Sequence, residues 1–109
     1  MKVVPTRLYL RRAAKLFSER ERLAMEDSIA EAPQRWPVIP GTGGLRKARV
    51  ARAGTGKRGG ARTIYFFWVE EDLLLLLLVY AKNEQEDIGA DDKRDLAAFT
   101  RQFMEDYDG

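Results

Sequence analysis

The apolar positions of this chain change their period along its length, and each change marks a different kind of element. In the first third they recur at helical intervals. Leu8, Ala13 and Leu16 give a modest stripe, and Met25, Ile29 and Ala32 fall at i, i+4, i+7 on one face. Thr6 can cap a first helix running to about Phe17, and Ser18 followed by Glu21 is a capping box that starts a second helix reaching about Ala32. Pro33 and Pro37 stop helical structure and bracket Trp36, an expected anchor between helix and sheet. After the turn-forming Gly41-Thr42-Gly43-Gly44 the period drops to two. Over residues 45–52, Ala48 and Val50 point one way and Lys47 and Arg49 the other.

Residues 61–68 are rich in β-formers (Thr63, Ile64, Tyr65, Phe66, Phe67) and predict a second strand. Glu70-Glu71-Asp72 makes a short polar turn, and Leu73 to Tyr80 then runs without alternation. An unbroken apolar strand predicts a central position covered on both faces. Leu96, Phe99, Phe103 and Tyr107, at i, i+3, i+7, i+11, predict a last helix from Asp92 to about Asp106. The expectation is one α+β domain over residues 1–109. It has an N-terminal helical pair, a small antiparallel sheet built as a three-stranded meander, and a C-terminal helix, with Val3 and Val4 able to add a short strand.

Composition narrows the chemistry. A chain of 109 residues forms one core. It has no cysteine, hence no disulfide framework or thiolate, and no histidine, which removes the commonest general base and metal ligand together. The apolar run ending at Ala81 is far short of the roughly 20 residues that span a bilayer, and the N-terminus lacks the apolar core of a signal peptide. The expected home is the cytoplasm, with no membrane partner.

The formal net charge of +2 hides a strong asymmetry. Between Ala32 and Val69 there is no acidic residue, but there are eight basic ones: Arg35, Arg46, Lys47, Arg49, Arg52, Lys57, Arg58 and Arg62. The rest of the chain holds the other 11 of the 19 basic residues and all 17 acidic ones, a formal −6. Seven of the nine glycines lie in the basic stretch, where they let backbone amides approach a ligand. A basic middle in an acidic frame is the footprint of a polyanion-binding face.

Gly54-Thr55-Gly56-Lys57 invites comparison with a nucleotide P-loop. However, position 51 is Ala where the motif needs Gly, Arg58 follows the lysine, and the segment joins two strands instead of opening a helix. Asn83-Glu84-Gln85-Glu86-Asp87 offers oxygen ligands but no second cluster, and reads as a solvated turn; no metal or cofactor is implied. The basic constellation carries more weight. Lys47 and Arg49 project from one face of a strand, Tyr80 and Lys82 do likewise at the end of the leucine strand, Arg62 opens the strand between them, and Lys57 and Arg58 lie on the adjoining loop. Basic residues at strand edges can simply discourage edge pairing, but a solubilising surface would mix signs. The breadth of the patch favours RNA over a small phosphate.

Three blocks, Val38-Ile39-Pro40-Gly41-Thr42-Gly43-Gly44-Leu45-Arg46-Lys47-Ala48-Arg49-Val50, Gly56-Lys57-Arg58-Gly59-Gly60-Ala61-Arg62-Thr63-Ile64-Tyr65 and Tyr80-Ala81-Lys82-Asn83-Glu84, resemble the RelE/ParE toxin superfamily, and most of all its HigB-like branch. The resemblance implies a RelE-like sheet-plus-helices fold. It also implies ribosome-dependent, metal-independent cleavage of messenger RNA, and inhibition by a cognate antitoxin, commonly a helix-turn-helix protein. By the same resemblance, Lys47 assists deprotonation of the ribose 2′-hydroxyl, Arg49 supports the phosphate, Arg62 stabilises the phosphorane-like state and Lys82 helps protonate the leaving oxygen. Arg46, Arg52, Lys57 and Arg58 fall to RNA or ribosome contact. The family's C-terminal catalytic tyrosine has no clear counterpart; Tyr80 and Tyr107 both compete, with core packing the favoured role of each. Two other functions share the fold or the charge: a ParE-like, non-enzymatic toxin that binds DNA gyrase, and a passive RNA-binding module.

Overall fold

In the computed structural model, which describes residues 1–52, 60–85 and 87–108, the elements follow in the order β1 (Lys2–Pro5), α1 (Arg7–Leu16), α2 (Glu19–Glu31), β2 (Leu45–Val50), β3 (Ala61–Trp68), β4 (Leu73–Ala81) and α3 (Ala90–Asp106). Both helix starts are made by the residues the sequence offers. The Thr6 hydroxyl accepts the Tyr9 amide, and at Ser18 both hydrogen bonds of the capping box form. The capping hydroxyl and carboxylate satisfy backbone groups that have no partner inside the helix.

The four strands form one sheet in the order β1-β4-β3-β2. β2, β3 and β4 are the expected antiparallel meander, but the sheet is mixed: β1 adds to the far edge parallel to β4. Pro5 ends that edge strand, where its missing N–H costs the sheet little. β4 lies between β1 and β3, and all nine of its residues are buried.

The two faces of β4 serve two clusters. On one, Tyr9, Ala13 and Phe17 of α1 and its C-cap, with Met25 and Ile29 of α2, pack on Ala48, Ala61, Tyr65, Leu74, Leu76 and Val79. On the other, Ile88 and Leu96 pack on Leu45, Ile64, Leu73, Leu75, Leu77, Leu78 and Tyr80. Leu77 and Leu78 are consecutive yet belong to the same cluster. Register explains why: Ile64 pairs with Leu78 and Tyr65 with Leu76, so Leu77 is an extra residue in β4 and the alternation slips by one. Beyond the slip, Tyr80 lies on the α3 side of the sheet.

Three expected helix stripes are corrected in detail. On α1 it is Tyr9, not Leu8, that enters the first cluster, while Leu8 turns to the second. The Tyr9 hydroxyl donates to Glu26 Oε2 at 2.9 Å and Arg22 donates to the same oxygen at 2.6 Å, which makes burial of the carboxylate tolerable. Ala32 caps α2 and is exposed. On α3 the exposed residue is Phe99, and Ala97 and Thr100 are buried instead. Among the described residues no helix is long and apolar enough to cross a membrane.

Candidate functional site

The alternation of β2 divides its basic residues between the two faces of the sheet. Lys47 and Arg49 emerge on the α3 side. Cross-strand pairing builds two rows there, Lys47–Ile64–Leu78 and Arg49–Arg62–Tyr80. Lys82 begins the turn after β4, one step beyond the second row, with its amide donating to the Gly60 carbonyl at 2.9 Å. A side chain at position 60 would set a Cβ 2.9 Å from the Val50 carbonyl oxygen, so glycine is what lets β3 start this close to β2. The slip in β4 brings Tyr80 to the row shared by Arg49 and Arg62.

Arg49 directly opposite Arg62 is an unfavourable pairing for a sheet, since like charges across a ladder repel. Arg62 uses one guanidinium nitrogen on the Ala61 carbonyl at 3.1 Å, and among the described residues its other donors are available. Tyr80 is 2% exposed and its hydroxyl has no hydrogen-bond partner among the described residues. Burial, reinforced by the negative charge of Asp87 and opposed by Arg62, pushes the Tyr80 hydroxyl up to about 12. It is a neutral donor at ordinary pH, close to a concentrated positive charge.

Two charged residues join the site that the sequence reading left out. Asp87 holds Lys47 Nζ at 3.5 Å through Oδ1 and Lys93 Nζ at 3.9 Å through Oδ2. Its Oδ1 also accepts the amide of Ile88, at 2.8 Å. Ile88 is buried in the second cluster and pins this loop to the core, which fixes Asp87 at its rim. An isolated isoleucine among polar residues was the available signal. Asp87 remains half exposed, so the solvated turn expected here is only part of its role.

A groove of about 540 Å³ adjoins the basic rows. One wall is Trp36, Pro37, Val38, Ile39 and Pro40; the other sides are Arg35, Lys47, Arg49, Asp87 and Lys93. The wall is held to the β2 edge by the Ile39 amide donating to the Leu45 carbonyl at 2.7 Å. Buried Thr42 then locks the turn, donating to the Ile39 carbonyl at 2.6 Å and accepting the Leu45 amide at 3.1 Å. Gly41 and Gly43, at φ +78° and +74°, supply the left-handed backbone that this turn needs. A second depression of about 590 Å³, between β1, α1 and α3, is lined mainly by apolar side chains such as Leu8, Leu75, Leu77, Phe99 and Phe103 and lacks a comparable cluster of basic residues.

Two other basic candidates, Arg46 and Arg52, are not brought to this face. Arg46 lies on the opposite side of β2, where its guanidinium donates to the carbonyls of Gln34 and Trp36. Those bonds make it a clamp for the segment after α2, on the side of the sheet away from Lys47. Arg52 is half-buried, and its positive charge bears on Glu21 of α2, again away from Lys47. Lys57 and Arg58 lie outside the described residues. Tyr107 packs edge-on against Trp68, with ring centroids 5.3 Å apart, and does not enter the basic rows.

The arrangement offers several cationic donors, one neutral phenol and an adjoining apolar wall. That is equipment for gripping a phosphodiester and for stabilising charge that develops on it. A family model described as the RelE toxin of the RelE / RelB toxin–antitoxin system matches residues 1–108. Among solved structures, the chain is similar to a mutant of the E. coli toxin RelE in the free state, with 14% identity, a TM-score of 0.58, and coverage of 91% of this chain and 95% of that one. It is also similar to a chain of the intact E. coli RelBE toxin–antitoxin complex, with 20% identity, a TM-score of 0.54, and coverage of 72% of this chain and 92% of that one.

Proposed function

The chain belongs to the RelE toxin family, and on that premise we propose that it is the toxin of a toxin–antitoxin pair that cleaves messenger RNA on the ribosome. The observation that carries this reading is the double row on the α3 face, where Lys47, Arg49 and Arg62 converge beside the buried Tyr80 hydroxyl. A fold tolerates an arginine opposite an arginine when the repulsion is useful, and a phosphate between them makes it so. Within this family we assign it to the HigB-like branch, on the three sequence blocks that resemble that branch.

In the reaction, the ribose 2′-oxygen attacks the adjacent phosphorus and the bond to the 5′-oxygen breaks, leaving a cyclic phosphate and a 5′-hydroxyl. Lys47 assists departure of the 2′-proton. Arg49 orients the phosphate, and Arg62 stabilises the charge that builds on its oxygens. Lys82, one step beyond the second row, is the residue we assign to protonating the leaving oxygen. The partner that restrains the toxin is a cognate antitoxin of the RelB type, and the site of action is the cytoplasm, where ribosomes and messages are found.

Expression without the antitoxin stops growth, and translated messages are cut. Lys47→Ala and Arg62→Ala each lower cleavage on purified ribosomes by about 10²- to 10³-fold, the scale of losing one charge-stabilising donor. Intact mRNA in arrested cells sinks the nuclease reading. Undiminished toxicity of both variants points instead to a gyrase-binding toxin, which needs no such rows.

A further inference from the structure

We propose that the groove beside the basic rows seats a nucleotide of single-stranded RNA, its base against the Trp36–Pro40 wall and its phosphate in place of the Asp87 carboxylate. The proposal deepens the nuclease reading and rests on it for the choice of RNA. The groove's walls differ in character. Trp36, Pro37, Val38 and Pro40 present an apolar surface, and Val38 is 44% exposed, unusual for a residue tied into a β-bridge beside the sheet. Opposite lie Lys47, Arg49 and Lys93. An apolar wall facing a row of cations is complementary to a nucleotide, which is itself flat and apolar at one end and anionic at the other.

Its volume, about 540 Å³, is that of a small-molecule site. The Arg35 guanidinium lies 4.9 Å from the centre of the Trp36 ring, so the ring already supports one planar group, and an entering base takes that group's place on it. The wall is rigid, because Thr42 and the Ile39–Leu45 hydrogen bond tie it to β2.

Among the described residues Asp87 is the only carboxylate lining the groove, and both its oxygens face lysines, Lys47 at 3.5 Å and Lys93 at 3.9 Å. A carboxylate bridging two ammonium groups occupies the place that a phosphate would take. An entering RNA phosphate exchanges with it, and the half-exposed Asp87 side chain turns to solvent as it gives up the two lysines and the Ile88 amide. Lys93, on the first turn of α3, thereby becomes a phosphate-positioning residue beside those of β2.

The chain has two tryptophans, and Trp68→Phe leaves Trp36 as the only reporter. The probe is a 2′-O-methyl RNA pentanucleotide, which cannot be cleaved through its 2′-oxygen. Titration into the Trp68→Phe protein at low salt quenches Trp36 emission saturably. By anisotropy of the labelled probe, Trp36→Leu weakens binding by about 5- to 150-fold, the scale of one base–aromatic stack. Trp36→Phe restores most of the loss, which separates lost stacking from a damaged wall. Asp87→Asn tightens binding several-fold, and Lys93→Ala loosens it. An unquenched Trp36, or an abasic oligonucleotide of equal charge that binds as tightly, overturns the proposal. If Trp36→Leu binds normally while Lys47→Ala abolishes ribosomal cleavage, the groove fails and the nuclease stands. If the probe quenches Trp36 while messages stay whole on ribosomes, the nuclease falls and the groove stands.

Discussion

The two faces of the sheet are made by the same strands and finished in opposite ways. Toward α1 and α2, the side chains of β2, β3 and β4 are small or apolar and fit the helices, with Ala48, Ala61, Tyr65 and Val79 buried together. Toward α3, burial is complete along one half, where Leu73, Leu75 and Leu77 meet Leu96. On the other half the positions equivalent to core carry Lys47, Arg49 and Arg62. Arg46 and Lys47 show the contrast one residue apart: the first is fastened to the carbonyls of Gln34 and Trp36, the second reaches a half-exposed carboxylate. Basic residues on the first face hold the fold together. Those on the second face are held in place by the fold and contribute little to its stability.

The largest separation of the two faces comes from comparing neighbours. Arg46→Ala removes a charged donor from two carbonyls and lowers unfolding free energy by about 1–3 kcal/mol, read from urea denaturation. Cleavage per folded molecule stays near the native value. Lys47→Ala, which loses only a long, partly exposed ion pair, shifts the urea midpoint by much less and abolishes most of the cleavage. Should Arg46→Ala silence the protein with its stability intact, the division of labour across β2 is wrong.

Much of this contrast was legible in the sequence, because a period of two assigns residues to faces without knowing what covers them. Lys47 and Arg49 on one side, Ala48 and Val50 on the other, follow from alternation alone, and so did the burial of the leucine strand on both faces. The slip at Leu77 was not legible. In a run of six leucines every register looks the same, so an extra residue leaves no trace in the pattern, although it decides which way Tyr80 faces. The clamp made by Arg46 was not legible for a related reason: its partners are backbone carbonyls that have no sequence signature. Asp87 and Lys93 meet only because Ile88 plugs the core and α3 starts immediately after it. The parallel pairing of β1 likewise depends on where α1 and α2 return the chain.

A smaller effect tests whether Tyr80 belongs to the site's electrostatics. Its hydroxyl is raised to about 12 in the folded protein, against an ordinary tyrosine value near 10. Between those values the unfolded chain has lost this proton and the folded one keeps it, so stability is whole below about pH 10 and falls as pH rises toward about 12. Tyr80→Phe removes that share of the alkaline loss, so urea midpoints at high pH fall less steeply than in the native protein. Tyr9 and Tyr65, also raised by burial, contribute to the fall that remains. At neutral pH the substitution is close to silent for stability, because the hydroxyl has no partner among the described residues to lose. An unchanged alkaline limb would mean that Tyr80 ionises as freely as in the unfolded chain, and that the hydroxyl is not buried against the cationic row.

The smallest effect has a sign that only the α3 face predicts. Arg49 faces Arg62 across the ladder, and like charges in that position cost about 0.2–1 kcal/mol. Arg49→Gln keeps a long polar side chain while removing the repulsion, so it raises the urea midpoint slightly at low ionic strength. The gain shrinks as salt screens the pair, over a Debye length of about 10 Å at 0.1 M. The same variant binds RNA more weakly, with a salt dependence reduced by about one phosphate contact. A substitution that strengthens the fold while weakening the ligand identifies a residue kept for the ligand. If Arg49→Gln instead lowers stability as Arg46→Ala does, then Arg49 is fastened like its neighbour, and the contrast between the two faces rests on Lys47 and Arg62 alone.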